Sequence, residues 1–178
     1  MEDWTNRAKT GHLPARGVWQ SYSQQLWSST KYGLGACAAT LKELENGLGL
    51  RDFYLMSKLG VARTIPPAVR YLQHIYCGME LNIVPVETTV AQINYLLQHY
   101  GRTTAPRTTL SAAIEHLQVE IGLTRCPLPY DYKKYSCLAT YKWTKSLWEK
   151  ISAYGIKVKL KYPKRNNQRA AKIHVLWK

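Results

Sequence analysis

Apolar residues recur at helical spacing along most of the 178-residue chain, and this periodicity changes only once, after Gly155. It is clearest over 87–101 and 109–121, where every third or fourth residue is apolar. Residues 156–162 instead alternate between apolar or aromatic side chains and lysine, the pattern of a strand with one buried face. Residues 172–177 can form its partner strand. We therefore predict a mainly α, α+β fold with five to seven helices and a small C-terminal β-hairpin.

Glycine and proline divide the helical part into segments. The predicted helices lie at 18–30, 36–46, 50–59, from the Pro66–Pro67 pair to Gly78, and at 87–100, 109–121 and 140–153. Breaks are expected at Gly33 and Gly35, and Gly47 and Gly60 close the second and third helices. Residues 79–86 are expected to be an extended connection.

Positive charge is concentrated in the last third of the chain. Of the net charge of +14, residues 125–178 carry +12, since fourteen Lys and Arg there face only Asp131 and Glu149. Such asymmetry is typical of a near-neutral scaffold joined to a basic contact surface. We therefore divide the chain into a flexible arm (1–16), a helical scaffold (17–124), and a basic helix plus β-hairpin (125–178).

The alternating strand carries the strongest functional signal. Lys157, Lys159 and Lys161, here called the lysine row, fall about 7 Å apart on one strand face, a spacing suited to contacts with phosphates. The adjoining turn and second strand add further candidate nucleic-acid contacts: Tyr162, for base stacking, and Lys164, Arg165, Arg169 and Lys172. The alternative is a solvated strand whose edge lysines prevent sheet-to-sheet aggregation.

Signatures of catalysis are missing from the sequence. It contains no paired aspartates for two metal ions, no zinc-protease motif and no glycine-rich phosphate loop. The five histidines are dispersed, and the four cysteines lack metal-ligand spacing, so we expect no enzyme, metal or cofactor. Scattered cysteines are typical of reduced thiols in an intracellular protein. No stretch approaches the roughly 18 apolar residues of a membrane span, so a membrane partner is not expected.

These features favour a non-catalytic nucleic-acid-binding module that contacts RNA rather than DNA through its basic C-terminal third. A second hypothesis is a structural subunit of a large ribonucleoprotein, such as a ribosome, with other proteins as further partners.

Short strings between residues 17 and 163 resemble the region that follows the polymerase core in reverse-transcriptase-like proteins of eukaryotic retroelements. They are KYGLGA (31–36), LKEL (41–44), SKLGVARTIP (57–66), VETT (86–89), LLQHYG (96–101), WTKSLWE (143–149) and YP (162–163). The resemblance implies a helical region that accompanies a nucleic-acid-handling enzyme, so an accessory domain or fragment of a reverse transcriptase is the third hypothesis. The polymerase palm and its paired aspartates are missing, so no polymerase activity is implied.

Overall fold

The structure is a computed structural model that describes residues 4, 6–7, 10–100, 105–160 and 173–176, with the backbone alone at 105–108, 159 and 173–176. Helices dominate it, which confirms the predicted mainly α fold. The helices are α1 (Ala15–Gln20), a π-helical segment (Ser21–Trp27), α2 (Ser28–Gly33), α3 (Leu41–Lys58), α4 (Pro67–Tyr71), α5 (Val84–His99), α6 (Ala105–Ile121), α7 (Tyr132–Tyr135) and α8 (Lys142–Ala153). Short 3₁₀ turns lie at Leu34–Ala36 and His74–Tyr76. Two strands follow, β1 (Lys157–Leu160) and β2 (Ile173–Leu176).

The described residues form two compact units. The first comprises those up to Leu34 together with Lys42–Glu87, and the second comprises Gly35–Leu41 and those from Thr88 onward. The first unit has a core of Val18, Tyr22, Leu55, Met56 and Leu81. The predicted boundary between 124 and 125 is a division by charge, and it stays a prediction.

Helix α3 joins the two helices predicted at 36–46 and 50–59, because the expected break between Gly47 and Leu50 does not occur, and it begins at Leu41 rather than at residue 36. It runs without interruption from Leu41 to Lys58. Leu44, Leu55 and Met56 are buried along one of its faces. Each interior glycine costs a helix about 1 kcal/mol relative to alanine, and packing of this face outweighs that cost. Its end is as predicted, since the chain leaves the helix at Gly60, which has a φ of +69°.

The predicted helix from Pro66–Pro67 to Gly78 is wrong beyond its first turns. Helix α4 ends at Tyr71, and the chain then folds back, with the amide of Met79 donating to the carbonyl of Val69 at 2.8 Å. A Cβ atom added at Gly78 would lie 2.0 Å from the Leu72 carbonyl oxygen. Only glycine permits this close approach, so Gly78 fixes a tight reversal rather than closing a long helix.

A buried charged network holds α3 to other parts of the first unit. Arg51, which is 1% exposed, donates to Asp52 Oδ1 from Nε at 2.8 Å and from Nη2 at 2.6 Å. Its Nη1 donates to the hydroxyl of Tyr22 at 3.0 Å and to the carbonyl of Asn82 at 2.7 Å. The other carboxylate oxygen of Asp52 accepts a 2.6 Å hydrogen bond from Tyr71. One ion pair thus connects helix α3, the π-helical segment, α4 and the residues before α5.

Deprotonation of Tyr71 at alkaline pH is expected to weaken this network. Burial and the hydrogen bond to Asp52 raise the pKa of Tyr71 from 10.0 to about 12. This contribution to stability is therefore complete below pH 10, declines between pH 10 and about pH 12, and is lost above that range. We expect Tyr71→Phe to remove part of the fall in unfolding free energy between about pH 8 and about pH 11, measured by urea denaturation. The matched control is Tyr76→Phe, which removes an exposed hydroxyl. An equal fall in wild type and Tyr71→Phe would contradict this assignment.

The second unit is built around α5, α6, α8 and β1. Its fully buried side chains include Leu96, Ile114, Leu117, Leu147, Trp148, Ile151 and Val158. The predicted helices over 87–100 and 109–121 are confirmed, although α5 begins three residues earlier, at Val84. Strands β1 and β2 pair antiparallel, with Lys157 opposite Leu176 and Leu160 opposite Ile173. One edge of β1 therefore pairs with β2, and its buried side chains Val158 and Leu160 pack in the helical core.

Candidate nucleic-acid interface

Strand β1 separates its apolar residues from lysine as the alternation predicts. Ile156, Val158 and Leu160 are buried in the core of the second unit, at 5%, 0% and 9% exposure. Lys157 between them is exposed. Successive side chains of a strand point to opposite faces, so burial of the apolar set leaves Lys157 on the solvent face. Lys159 lies two residues further along the same strand.

The end of α8 sets the direction in which β1 leaves the helix. The amide of Ile156 donates to the carbonyl of Ile151 at 2.9 Å, and the amide of Gly155 donates to Ser152 at 3.2 Å. Gly155 has a φ of +66°, which completes the hydrogen-bond pattern of a Schellman motif. Ile151 and Ile156 both lie in the core, as this motif favours. The chain therefore turns directly from a buried helix into the lysine-bearing strand.

Other Lys and Arg residues lie near this strand in the sequence. Most of those whose side chains the structure describes are exposed to solvent. The exposed cations of 125–160 are Arg125, Lys133, Lys134, Lys142 and Lys157, and Lys145 is half-buried. The two carboxylates of this segment both accept hydrogen bonds from backbone amides. Asp131 caps α7 by accepting from Lys133 N at 3.0 Å, and Glu149 accepts from Leu41 N at 3.3 Å.

Lys150 of α8 is an interior residue, although lysine is rarely buried. It is fully buried, and its Nζ donates to the Ala39 carbonyl at 2.8 Å, to Gln92 Oε1 at 3.2 Å and to Ser146 Oγ at 2.5 Å. Its position, three residues after Leu147 and seven after Trp143, is the sequence signal that places it on the buried face. Lys150 therefore belongs to the interior and adds no contact for a phosphate.

Hydrogen bonds from side chains to backbone carbonyls hold the segment Gly35–Leu41 within the second unit. Trp143 Nε1 donates to the Gly35 carbonyl at 3.0 Å, and Gln92 Nε2 donates to the Cys37 carbonyl at 2.6 Å. Ser146 Oγ donates to the Ala39 carbonyl at 2.7 Å. The polar residues of α5 and α8 thus satisfy the carbonyls of an irregular segment, a role that the sequence pattern does not reveal.

Lys161, Tyr162, Lys164, Arg165, Arg169 and Lys172 lie outside the described residues. Of the predicted site, the structure therefore locates Lys157 with its side chain and Lys159 by its backbone. The grouping of the remaining residues around the lysine row stays a prediction.

Burial raises the pKa of one thiol and one phenol in this region. Burial raises the pKa of the Cys126 thiol to about 11, so the thiol stays protonated at neutral pH. Burial, reinforced by the charge of Glu149, also raises the pKa of Tyr132. Within the described ranges, no group of His, Cys, Asp and Glu is arranged to hold a metal ion. Over the same part of the chain, no helix is both long and apolar enough to span a membrane.

Comparison with known proteins returned no match, whether against protein families, curated sequences or solved structures. The resemblance to the retroelement region therefore stays a prediction.

Proposed function

We propose that this chain is a non-catalytic nucleic-acid-binding module that neutralises RNA phosphates through the lysine row and the neighbouring cations of 125–178. The alternation of burial along β1 is the observation that carries the proposal. Val158 is completely buried, whereas Lys157 beside it is exposed. The strand is therefore anchored by one face and is free to present charge on the other.

The charge balance supports a polyanionic partner. Residues 125–178 carry a net charge of +12, and both of their carboxylates accept hydrogen bonds from backbone amides. Ammonium groups brought together on one surface repel each other, and phosphates relieve that repulsion while releasing counterions. The lysine row offers phosphate contacts and no constellation for reading base edges. RNA recognition by shape and by unpaired segments suits such a surface better than sequence-specific reading of a DNA groove.

The test is the salt dependence of binding. We expect the full chain to bind a short structured RNA with log affinity falling against log salt at a slope of roughly −3 to −5, from about four to six phosphate contacts. Fluorescence anisotropy between about 50 and 200 mM salt measures this slope, with a DNA duplex of equal length as the comparison ligand. A flat slope, or no binding at about 50 mM salt, would contradict the proposal.

A charge-matched pair of variants locates the surface. The triple variant Lys157→Gln, Lys159→Gln, Lys161→Gln is expected to reduce the magnitude of the slope by about 2 to 3, since each phosphate contact contributes about 0.7 to 0.9. The control, Lys31→Gln, Lys42→Gln, Arg63→Gln, removes the same charge from exposed positions of the first unit. Equal loss in both variants would mean that net charge, rather than the lysine row, determines binding.

A further inference from the structure

The second unit contains a half-open cleft among Gly35–Leu41, α5, α6 and the first turn of α8. Its volume is about 330 Å³, at the lower end of the roughly 300–1,000 Å³ typical of small-ligand sites. Three aromatic side chains, Tyr95, Tyr141 and Trp143, contribute to its lining. The small side chains of Ala36 and Ala38 also line it. We call this the aromatic cleft.

Two of the rings are held in place by neighbouring groups. The indole Nε1 of Trp143 donates to the Gly35 carbonyl at 3.0 Å, and its side chain is largely buried. The rings of Tyr95 and Trp143 lie 6.1 Å apart between centroids, at 65° to each other. Tyr95 also packs on His99, with centroids 4.5 Å apart. With its donor engaged, Trp143 offers the cleft an apolar surface.

The mouth of the cleft combines an accessible ring with positive charge. Tyr141 is 46% exposed and immediately precedes α8, and Lys142, the exposed first residue of that helix, lies beside it in the lining. The exposed Thr109 adds a hydroxyl to the rim. A flat ring next to an ammonium group complements a base and the phosphate that follows it.

We propose that the aromatic cleft binds one unpaired base of the RNA strand, with Tyr141 stacking on the base and Lys142 contacting an adjacent phosphate. This inference rests on the proposed function and names the feature of the RNA that this site recognises. Charge complementarity favours a nucleotide as the ligand. An apolar peptide side chain would pack against the rings but would leave Lys142 without an anionic partner. Stacking on an aromatic ring tolerates any base, so the site distinguishes unpaired from paired RNA without reading sequence.

Three probes of equal length test the cleft: a single-stranded RNA, the same RNA in a duplex, and a strand of abasic ribose phosphates. Tyr141→Ala is expected to weaken binding of the single strand by roughly 5- to 100-fold, the loss of one stacked base. Binding of the duplex and of the abasic strand is expected to stay unchanged. The salt slope for the single strand is also expected to stay unchanged, because Tyr141 carries no charge. Lys142→Gln is expected to reduce the magnitude of that slope by about 0.7, the share of one phosphate.

Two controls separate stacking from general damage to the surface. Tyr141→Phe keeps the ring and is expected to bind as wild type. Tyr154→Ala removes a ring of similar exposure in the same unit that does not line the cleft, and it is expected to leave binding unchanged. A second variant, Ala113→Leu, adds volume to the cleft lining and is expected to reproduce the selective loss for the single strand.

The outcomes distinguish the cleft from the proposed function itself. If Tyr141→Ala and Ala113→Leu both bind the single strand as wild type, the cleft proposal is overturned, even where the lysine-row variant still shows its reduced salt slope. Equal weakening on all three probes would also overturn it, because the abasic strand has no base to stack. If the wild-type chain binds none of the probes, the proposed function fails as well.

Discussion

Replacing Arg51 with Met is expected to lower the free energy of unfolding by about 3 to 5 kcal/mol. Both Arg51 and Asp52 are buried, and two nitrogens of the guanidinium donate to the same carboxylate oxygen. Met retains much of the side-chain volume but leaves the carboxylate without this partner inside the protein. It also removes the donors to Tyr22 and to the Asn82 carbonyl. The loss is large because the hydrogen bond from Tyr71 and the Arg70 guanidinium, 3.8 Å from Asp52 Oδ2, compensate only part of the desolvation cost of the buried carboxylate.

Urea denaturation followed by circular dichroism measures this loss, and hydrogen exchange of the α3 amides locates it. The matched control is Arg63→Met, since Arg63 is exposed and its guanidinium lies 3.9 Å from the centroid of the Phe53 ring. We expect that control to lose only about 0.5 to 1 kcal/mol. Adding Asp52→Asn to Arg51→Met removes the stranded charge and is expected to restore part of the stability. Equal losses for Arg51→Met and Arg63→Met would show that the buried pair is not essential.

Replacing Trp148 with Ala is expected to lower the free energy of unfolding by about 3 to 5 kcal/mol, through the second unit. The indole is fully buried, and its Nε1 donates to the Tyr130 carbonyl at 3.0 Å. The ring of Tyr132 packs edge-on against it, with centroids 5.5 Å apart. Alanine removes this apolar contact, leaves a cavity, and leaves the Tyr130 carbonyl without this donor.

The same denaturation measurement tests Trp148→Ala, with hydrogen exchange of α8 as the local readout. Trp148→Phe keeps an apolar ring and is expected to lose less, about 1 to 3 kcal/mol. Lys142→Ala, an exposed substitution on the same helix, is expected to change stability by no more than about 0.5 kcal/mol. A loss of less than about 1 kcal/mol for Trp148→Ala would contradict the central packing role of this side chain.

Regular periodicity made much of the helical fold predictable. The apolar stripes over 87–100 and 109–121 correspond to α5 and α6, and the change of period after Gly155 corresponds to β1. Sequence reasoning failed where packing outweighed local preference. Glycine within α3 did not stop that helix, and the reversal at Gly78 depends on an approach to Leu72 that no local pattern announces.

The candidate site was only partly predictable, for the same reason. The alternation at 156–160 correctly indicated which face of β1 is buried, because successive side chains of a strand point to opposite faces. Nothing comparable indicated the aromatic cleft, whose rings come from α5 and from the start of α8, far apart in the sequence. The spacing of Lys150 from Leu147 and Trp143 indicated the buried face of α8, but lysine as a residue type favours the surface.

Residue spacing and composition are enough to establish the helical class, the lysine alternation and the concentration of charge in 125–178. The interior positions of Lys150 and Arg51, and the cleft lined by Tyr95, Tyr141 and Trp143, depend instead on how distant segments pack. A charged group can be buried only where distant segments supply hydrogen-bond partners for it. For Lys150 these are the Ala39 carbonyl and Gln92, and for Arg51 they are Tyr22 and the Asn82 carbonyl.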